Sequence, residues 1–130
     1  MIVVGYTTDR FGQAALDHGI AEARLRETHL VVINSTSGES YSDPDFAQPA
    51  QVRDVQARLE SSGVPFEFSQ PVGVDAAAEL LTAMDRPEAE LLVIGIKHRS
   101  PVGKLLLGST SQQLLLECPK PVLAVKPDED

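Results

Sequence analysis

Apolar residues in this chain come in short runs separated by amphipathic stretches. Four runs are apolar at every position: Ile2-Val3-Val4, Leu30-Val31-Val32-Ile33, Leu91-Leu92-Val93-Ile94 and Val122-Leu123-Ala124-Val125. Short unbroken runs predict strands covered on both faces, as in a parallel sheet. Phe66-Glu67-Phe68 alternates instead, which suits a strand nearer a sheet edge.

The stretches between the runs carry helical spacing. From Gly12 to Arg26, Leu16, Ile20 and Ala23 share one face, with Thr8 or Asp9 as N-cap. From Ala50 to Ser62, Val52, Val55 and Leu59 form a buried stripe, and Gly63 and Pro65 stop the helix. Asp75 caps a helix from Ala76 to about Asp85, with Leu80, Leu81 and Met84 inward. A last helix spans Ser109 to Glu117, stopped by Pro119 and Pro121. Strands and helices therefore alternate along the chain. That order predicts an α/β fold, a parallel open sheet with helices on both faces. Ligands of such sheets sit at the carboxyl ends of the strands where the strand order reverses. Gly5 and Gly95, directly after the first and fourth strands, mark that place.

The 130 residues suit one domain, 1–130, large enough to fold without a disulfide or structural metal. A formal charge of −8 argues against general binding to nucleic acid or anionic membrane. No apolar run approaches the ~20 residues of a membrane span, and no signal peptide is visible. Cys118 is the only cysteine, which suits a reducing cytoplasm, and reads as a packing residue. Asn34 to Pro49 is a long polar connection whose Glu39, Asp43 and Asp45 argue against direct contact with phosphate.

Charge matters most between Glu90 and Glu117, where the acidic chain has no acidic residue. Lys97, His98, Arg99 and Lys104 fall in this window. Gly108-Ser109 opens the helix, and Ser109 with Gln112 matches a capping box with Ser109 as N-cap. A strand, a glycine, a basic loop and a helix start make a seat for an anion, because the first helical N–H groups lack partners and the dipole favours negative charge. Ser109 acting only as a cap is the competing reading. A Walker-type loop is absent: His98 stands at its first glycine position and Leu105 at its hydroxyl position. His18, His29 and His98 are scattered without metal-ligand spacing.

Gly95, the loop after it, Gly108-Ser109 and the closing Cys-Pro-Lys-Pro-Val-Leu-Ala-Val-Lys resemble the universal stress protein family, UspA type. The similarity covers almost the whole chain. It implies a five-stranded parallel sheet of order 3-2-1-4-5, and a homodimer formed by pairing of the last strand, Val122 to Val125. The family's ATP-binding branch carries Gly, two residues, Gly, nine residues, Gly, Ser/Thr. Gly95, Gly108 and Ser109 match that pattern, and His98 stands where its middle glycine would be. Thr7 stands at the acidic position after strand one, and Asn34 at the position beside adenine after strand two.

The resemblance thus implies binding of ATP, ADP or AMP, with Mg2+ as a further candidate. The implied site is Gly5, Tyr6, Thr7, Asn34, Ile94, Gly95, Lys97, His98, Arg99, Gly108, Ser109, Thr110 and Ser111. Its implied action is nucleotide-dependent regulation of a protein partner in the cytoplasm. Two alternatives remain: a nucleotide-free dimeric interaction module, and slow ATP hydrolysis with Asp9 as the nearest acid.

Overall fold

The computed structural model describes residues 1–38, 42–96 and 107–128. Strands β1 (Ile2–Gly5), β2 (Leu30–Ile33), β3 (Phe66–Ser69), β4 (Leu91–Gly95) and β5 (Val122–Val125) form one sheet. Its order is β3-β2-β1-β4-β5, and every pairing is parallel. β1 lies between β2 and β4, so the chain winds outward first to one side of β1 and then to the other. The order reverses at the β1/β4 boundary, and the carboxyl ends of those two strands flank a crevice.

The all-apolar runs are explained by two cores, one on each face of the sheet. Ile2, Val4, Leu30, Val32, Leu91 and Val93 point to one core, with Leu16, Ile20 and Leu59 of the helices. Met1, Val3, Val31, Ile33, Leu92 and Ile94 point to the other, with Leu80, Met84 and Leu114. Adjacent residues point to opposite faces, so both sets must be apolar. β3 lies at an edge, as its alternation predicts, and its Glu67 and Ser69 are exposed.

Helices α1 (Arg10–Arg26), α2 (Pro49–Ser62), α3 (Ala76–Met84) and α4 (Ser109–Glu117) make the crossovers. α1 starts earlier than Gly12 because Asp9, not Thr8, is its cap: Asp9 Oδ1 accepts the Gly12 N–H at 3.0 Å. α2 starts at Pro49, whose missing N–H costs nothing in a first turn. Gly63 ends it with φ of 75°, a conformation that favours glycine. α3 ends at Met84, one residue short of the expected Asp85, which is its C-cap.

One expectation is overturned at α4. Gly108 is its N-cap and Ser109 its first helical residue, so the Ser109–Gln112 capping box does not form. Gly108 is extended (φ −66°, ψ 160°), and its carbonyl accepts the Gln112 N–H at 3.0 Å. With glycine at the cap, the cap residue has no side chain to close the end of the helix. On α4, Leu114 is buried, while Leu115 and Leu116 are exposed.

Candidate functional site

A cleft of about 350 Å³ opens over the carboxyl ends of β1 and β4. Gly5, Tyr6 and Thr7 form one side of its floor, and Ile94 and Gly95 the other. Thr110 and Ser111 bring the first turn of α4 to the wall. The structure therefore gathers seven of the expected residues: Gly5, Tyr6, Thr7, Ile94, Gly95, Thr110 and Ser111. Lys97, His98 and Arg99 lie outside the described residues. Gly108 and Ser109 stand at the α4 start, next to the wall but outside the described lining.

Both floor glycines have packing reasons. A Cβ on Gly95 would overlap the Phe11 carbonyl of α1, so glycine lets α1 rest against the end of β4. A Cβ on Gly5 would come within 2.9 Å of Leu80 Cδ1, the tip of a movable side chain. Gly12 is the counterpart on α1, where a Cβ would overlap the Thr7 backbone. These close approaches hold the Thr7 turn down against the helix and keep the floor low.

Tyr6 contributes backbone rather than ring. Its side chain is buried, its hydroxyl accepts from Gln13 Nε2 at 2.8 Å, and burial raises its pKa. Thr7 Oγ1 donates to Asp9 Oδ1 at 2.7 Å, so the helix cap and the floor share one carboxylate. Asn34 stands behind the cleft, 1% exposed. Its Nδ2 donates to the Tyr6 carbonyl at 2.9 Å and the Asp45 carbonyl at 3.0 Å. Its Oδ1 accepts the Ala47 N–H at 2.7 Å and Gln70 Nε2 at 3.1 Å. Asn34 thus clips the long β2–α2 connection to the end of β1.

That clip brings in residues the sequence reading set aside. Asp43 and Asp45 line the cleft, as do Ser35, Thr36 and Ser37 after β2 and Asp75 before α3. The charge of the connection argues only against contact with phosphate and leaves the rest of the cleft open to it. Its position directly after β2, beside the reversal in strand order, was the signal that could have placed it. Asp45 is exposed, and partial desolvation at the cleft together with the charges of Asp9 and Asp43 raises its pKa. Among the described residues no group of three or more His, Cys, Asp or Glu could hold a metal ion.

The polar groups thus divide. At α4, the N–H groups of Ser109, Thr110 and Ser111 precede the first intrahelical bond, and among the described residues no side-chain cap takes them. Asp43 and Asp45 reach the cleft from the connection after β2, and Asp75 from the start of α3. The model of the "Universal stress protein family" matches residues 1–126. This chain belongs to the universal stress protein family. A universal stress protein of Mycolicibacterium smegmatis is 69% identical over 127 residues, 98% of either chain. The structure of a universal stress protein from Archaeoglobus fulgidus is similar, with TM-score 0.76 and 28% identity over 96% of this chain and 97% of that one. A second structure from that organism, a universal stress protein in complex with dAMP, has TM-score 0.69 at 23% identity, covering 96% of each chain. The universal stress protein fold, with its strand order, is therefore present in this chain, as the resemblance implied.

Proposed function

We propose that this universal stress protein binds an adenine nucleotide in the cleft over β1 and β4, with its phosphate at the first turn of α4. The observation that carries this reading is the uncapped α4 start facing a cleft of about 350 Å³, a volume suited to a small-molecule ligand. Free N–H groups and the helix dipole favour an anion there, and the Thr110 and Ser111 hydroxyls add donors. Apolar Ile94, Leu80 and Leu114 line the same space. A structurally similar family member holds dAMP. The nucleotide state then acts on a protein partner in the cytoplasm. A further phosphate contact is proposed from Lys97, His98 or Arg99, which follow β4 in sequence and lie outside the described residues. Mg2+ has no described ligand set, so the protein groups alone carry this account of binding.

The same reading makes the protein a homodimer through β5, whose one neighbour in the sheet is β4. Asp9 is occupied as the α1 cap, so hydrolysis is not assigned to it.

Isothermal titration with AMP, ADP and ATP tests the binding reading. Saturable heat with one site per chain is expected for at least one of the three. No heat at millimolar nucleotide removes the reading and favours the nucleotide-free interaction module.

A further inference from the structure

Three carboxylates line the cleft, and they are not equivalent. Asp75 is spent as the α3 cap, its Oδ2 accepting the Ala78 N–H at 2.9 Å. Asp43 is spent on its own loop, its Oδ1 accepting the Asp45 N–H at 3.0 Å. The Asp45 carboxylate has no hydrogen bond or ion pair with any described residue. Yet its backbone is pinned. The Asp45 carbonyl accepts the Thr8 N–H at 3.2 Å and Asn34 Nδ2 at 3.0 Å. Next to it, the Pro44 carbonyl accepts Thr8 Oγ1 at 2.7 Å. The anchoring groups come from the ends of two neighbouring strands: Thr8 follows β1 and Asn34 follows β2. A fixed backbone that carries an unused acceptor at a cleft wall is a preorganised polar contact, which loses little freedom when a ligand arrives.

We infer that Asp45 is a specificity-determining residue of this cleft, accepting hydrogen bonds from donors on the nucleoside half of the ligand. The inference rests on the nucleotide reading above. Its chemistry follows from the division of charge across the cleft. A phosphate next to Asp45, with Asp43 in the same loop and Asp9 at the start of α1, would face like charges; at α4 it meets N–H donors. The neutral, donor-bearing half of a nucleotide therefore belongs on the Asp45 side. Two donor sources share this chemistry: the ribose hydroxyls and the exocyclic amino group of adenine. A carboxylate accepts from either, and a hydrogen bond to a charged group is among the stronger kinds.

Titration of the wild type and of Asp45→Ala with AMP, 2′,3′-dideoxy-AMP and IMP tests the inference. Asp45→Ala is expected to bind AMP about tenfold more weakly or worse. One analogue is expected to bind wild type and variant alike, because the donor that Asp45 reads is missing from it. Dideoxy-AMP in that role assigns the sugar, and IMP assigns the base. If Asp45→Ala binds AMP as tightly as the wild type or more tightly, Asp45 only repels phosphate and the inference is overturned. It is overturned too if both analogues still lose affinity in the variant. Should the wild type bind no nucleotide, the cleft reading fails first, and that result is distinct from either.

Asp45→Asn guards against a folding effect. Asp45 is exposed, and partial desolvation with the neighbouring charges of Asp9 and Asp43 raises its folded-state pKa above the unfolded value of about 3.9. The ionised carboxylate therefore costs the ligand-free fold stability at neutral pH, and the cost vanishes as pH falls through the raised pKa. The Tm of ligand-free Asp45→Asn should exceed that of the wild type at pH 7, and the difference should shrink toward pH 4. A lower Tm at pH 7 would show that the carboxylate supports the fold, and would overturn the inference.

Discussion

At the residue scale, Asn34 shows how one side chain builds a site without lining it. Both ends of its amide are used, two bonds given and two accepted, and every partner lies within the protein. Asn34→Ala leaves the Ala47 N–H and the Tyr6 carbonyl without these partners in a buried setting. We expect a loss of about 2–4 kcal/mol in urea unfolding. A loss below about 0.5 kcal/mol, the range of an ordinary surface change, would show that the clip is replaceable. The sequence marked Asn34 through the resemblance, as a residue beside adenine. Its four protein partners were not legible, because they come from Tyr6 just after β1, the 43–47 segment and Gln70. Bonds between parts of the chain this distant are set by the tertiary fold and leave no local spacing.

At the element scale, the helix and strand pattern was readable because each element satisfies a local rule. β1, β2 and β4 are apolar throughout because both faces of the sheet are covered, whereas β3 alternates at an edge. Helix starts were less secure, because a cap competes with its neighbours for the role. At α1, Asp9 takes the cap from Thr8; at α4, Gly108 takes it from Ser109. The α4 case bears on function, since a serine cap would have used a donor that now stays free. Gly108 is extended, and no described atom lies within 4 Å of where its Cβ would be. Gly108→Asp should therefore fit, cap α4 and raise stability by a few tenths of a kcal/mol. The same carboxylate should compete with phosphate for the helix N–H groups and weaken AMP binding tenfold or more. A variant that is more stable and binds AMP normally would contradict the phosphate position.

The strand β5 carries the other element-scale prediction. The Pro121 and Val125 carbonyls accept from the Leu92 and Ile96 N–H groups of β4 and the residue after it. By the two-residue period of a strand, the backbone groups of Val122 and Ala124 point to the open edge. Ala124→Pro removes an outward donor and leaves the bonds to β4 in place. We expect light scattering to give a dimer for the wild type and a monomer for Ala124→Pro, with helical circular dichroism retained. A variant that remains dimeric would place the dimer contact elsewhere.

At the scale of the whole molecule, the winding of the sheet does the positioning. Strand order turns at β1/β4, so the loops after those strands part and leave the cleft. The loop after β2 then folds back across the end of β1, held by Asn34 and Thr8, and closes one side. The opposite side is the start of α4. Asp43 and Asp45 thus enter the cleft from the loop after β2, and the helix N–H groups from the α4 start after β4. The location of the cleft was legible from Gly5 and Gly95 and from the alternation of elements. The lining by Asp43 and Asp45 was not, since their charge speaks only against phosphate contact and says nothing of where the loop folds.

The most direct test is a crystal structure of the protein grown with AMP. The account predicts density in the cleft over β1 and β4, with the phosphate bonded to the Ser109–Ser111 turn of α4 and the nucleoside turned toward Asp45. An empty cleft at saturating AMP, or a nucleotide with its phosphate on the Asp43–Asp45 side, would contradict it.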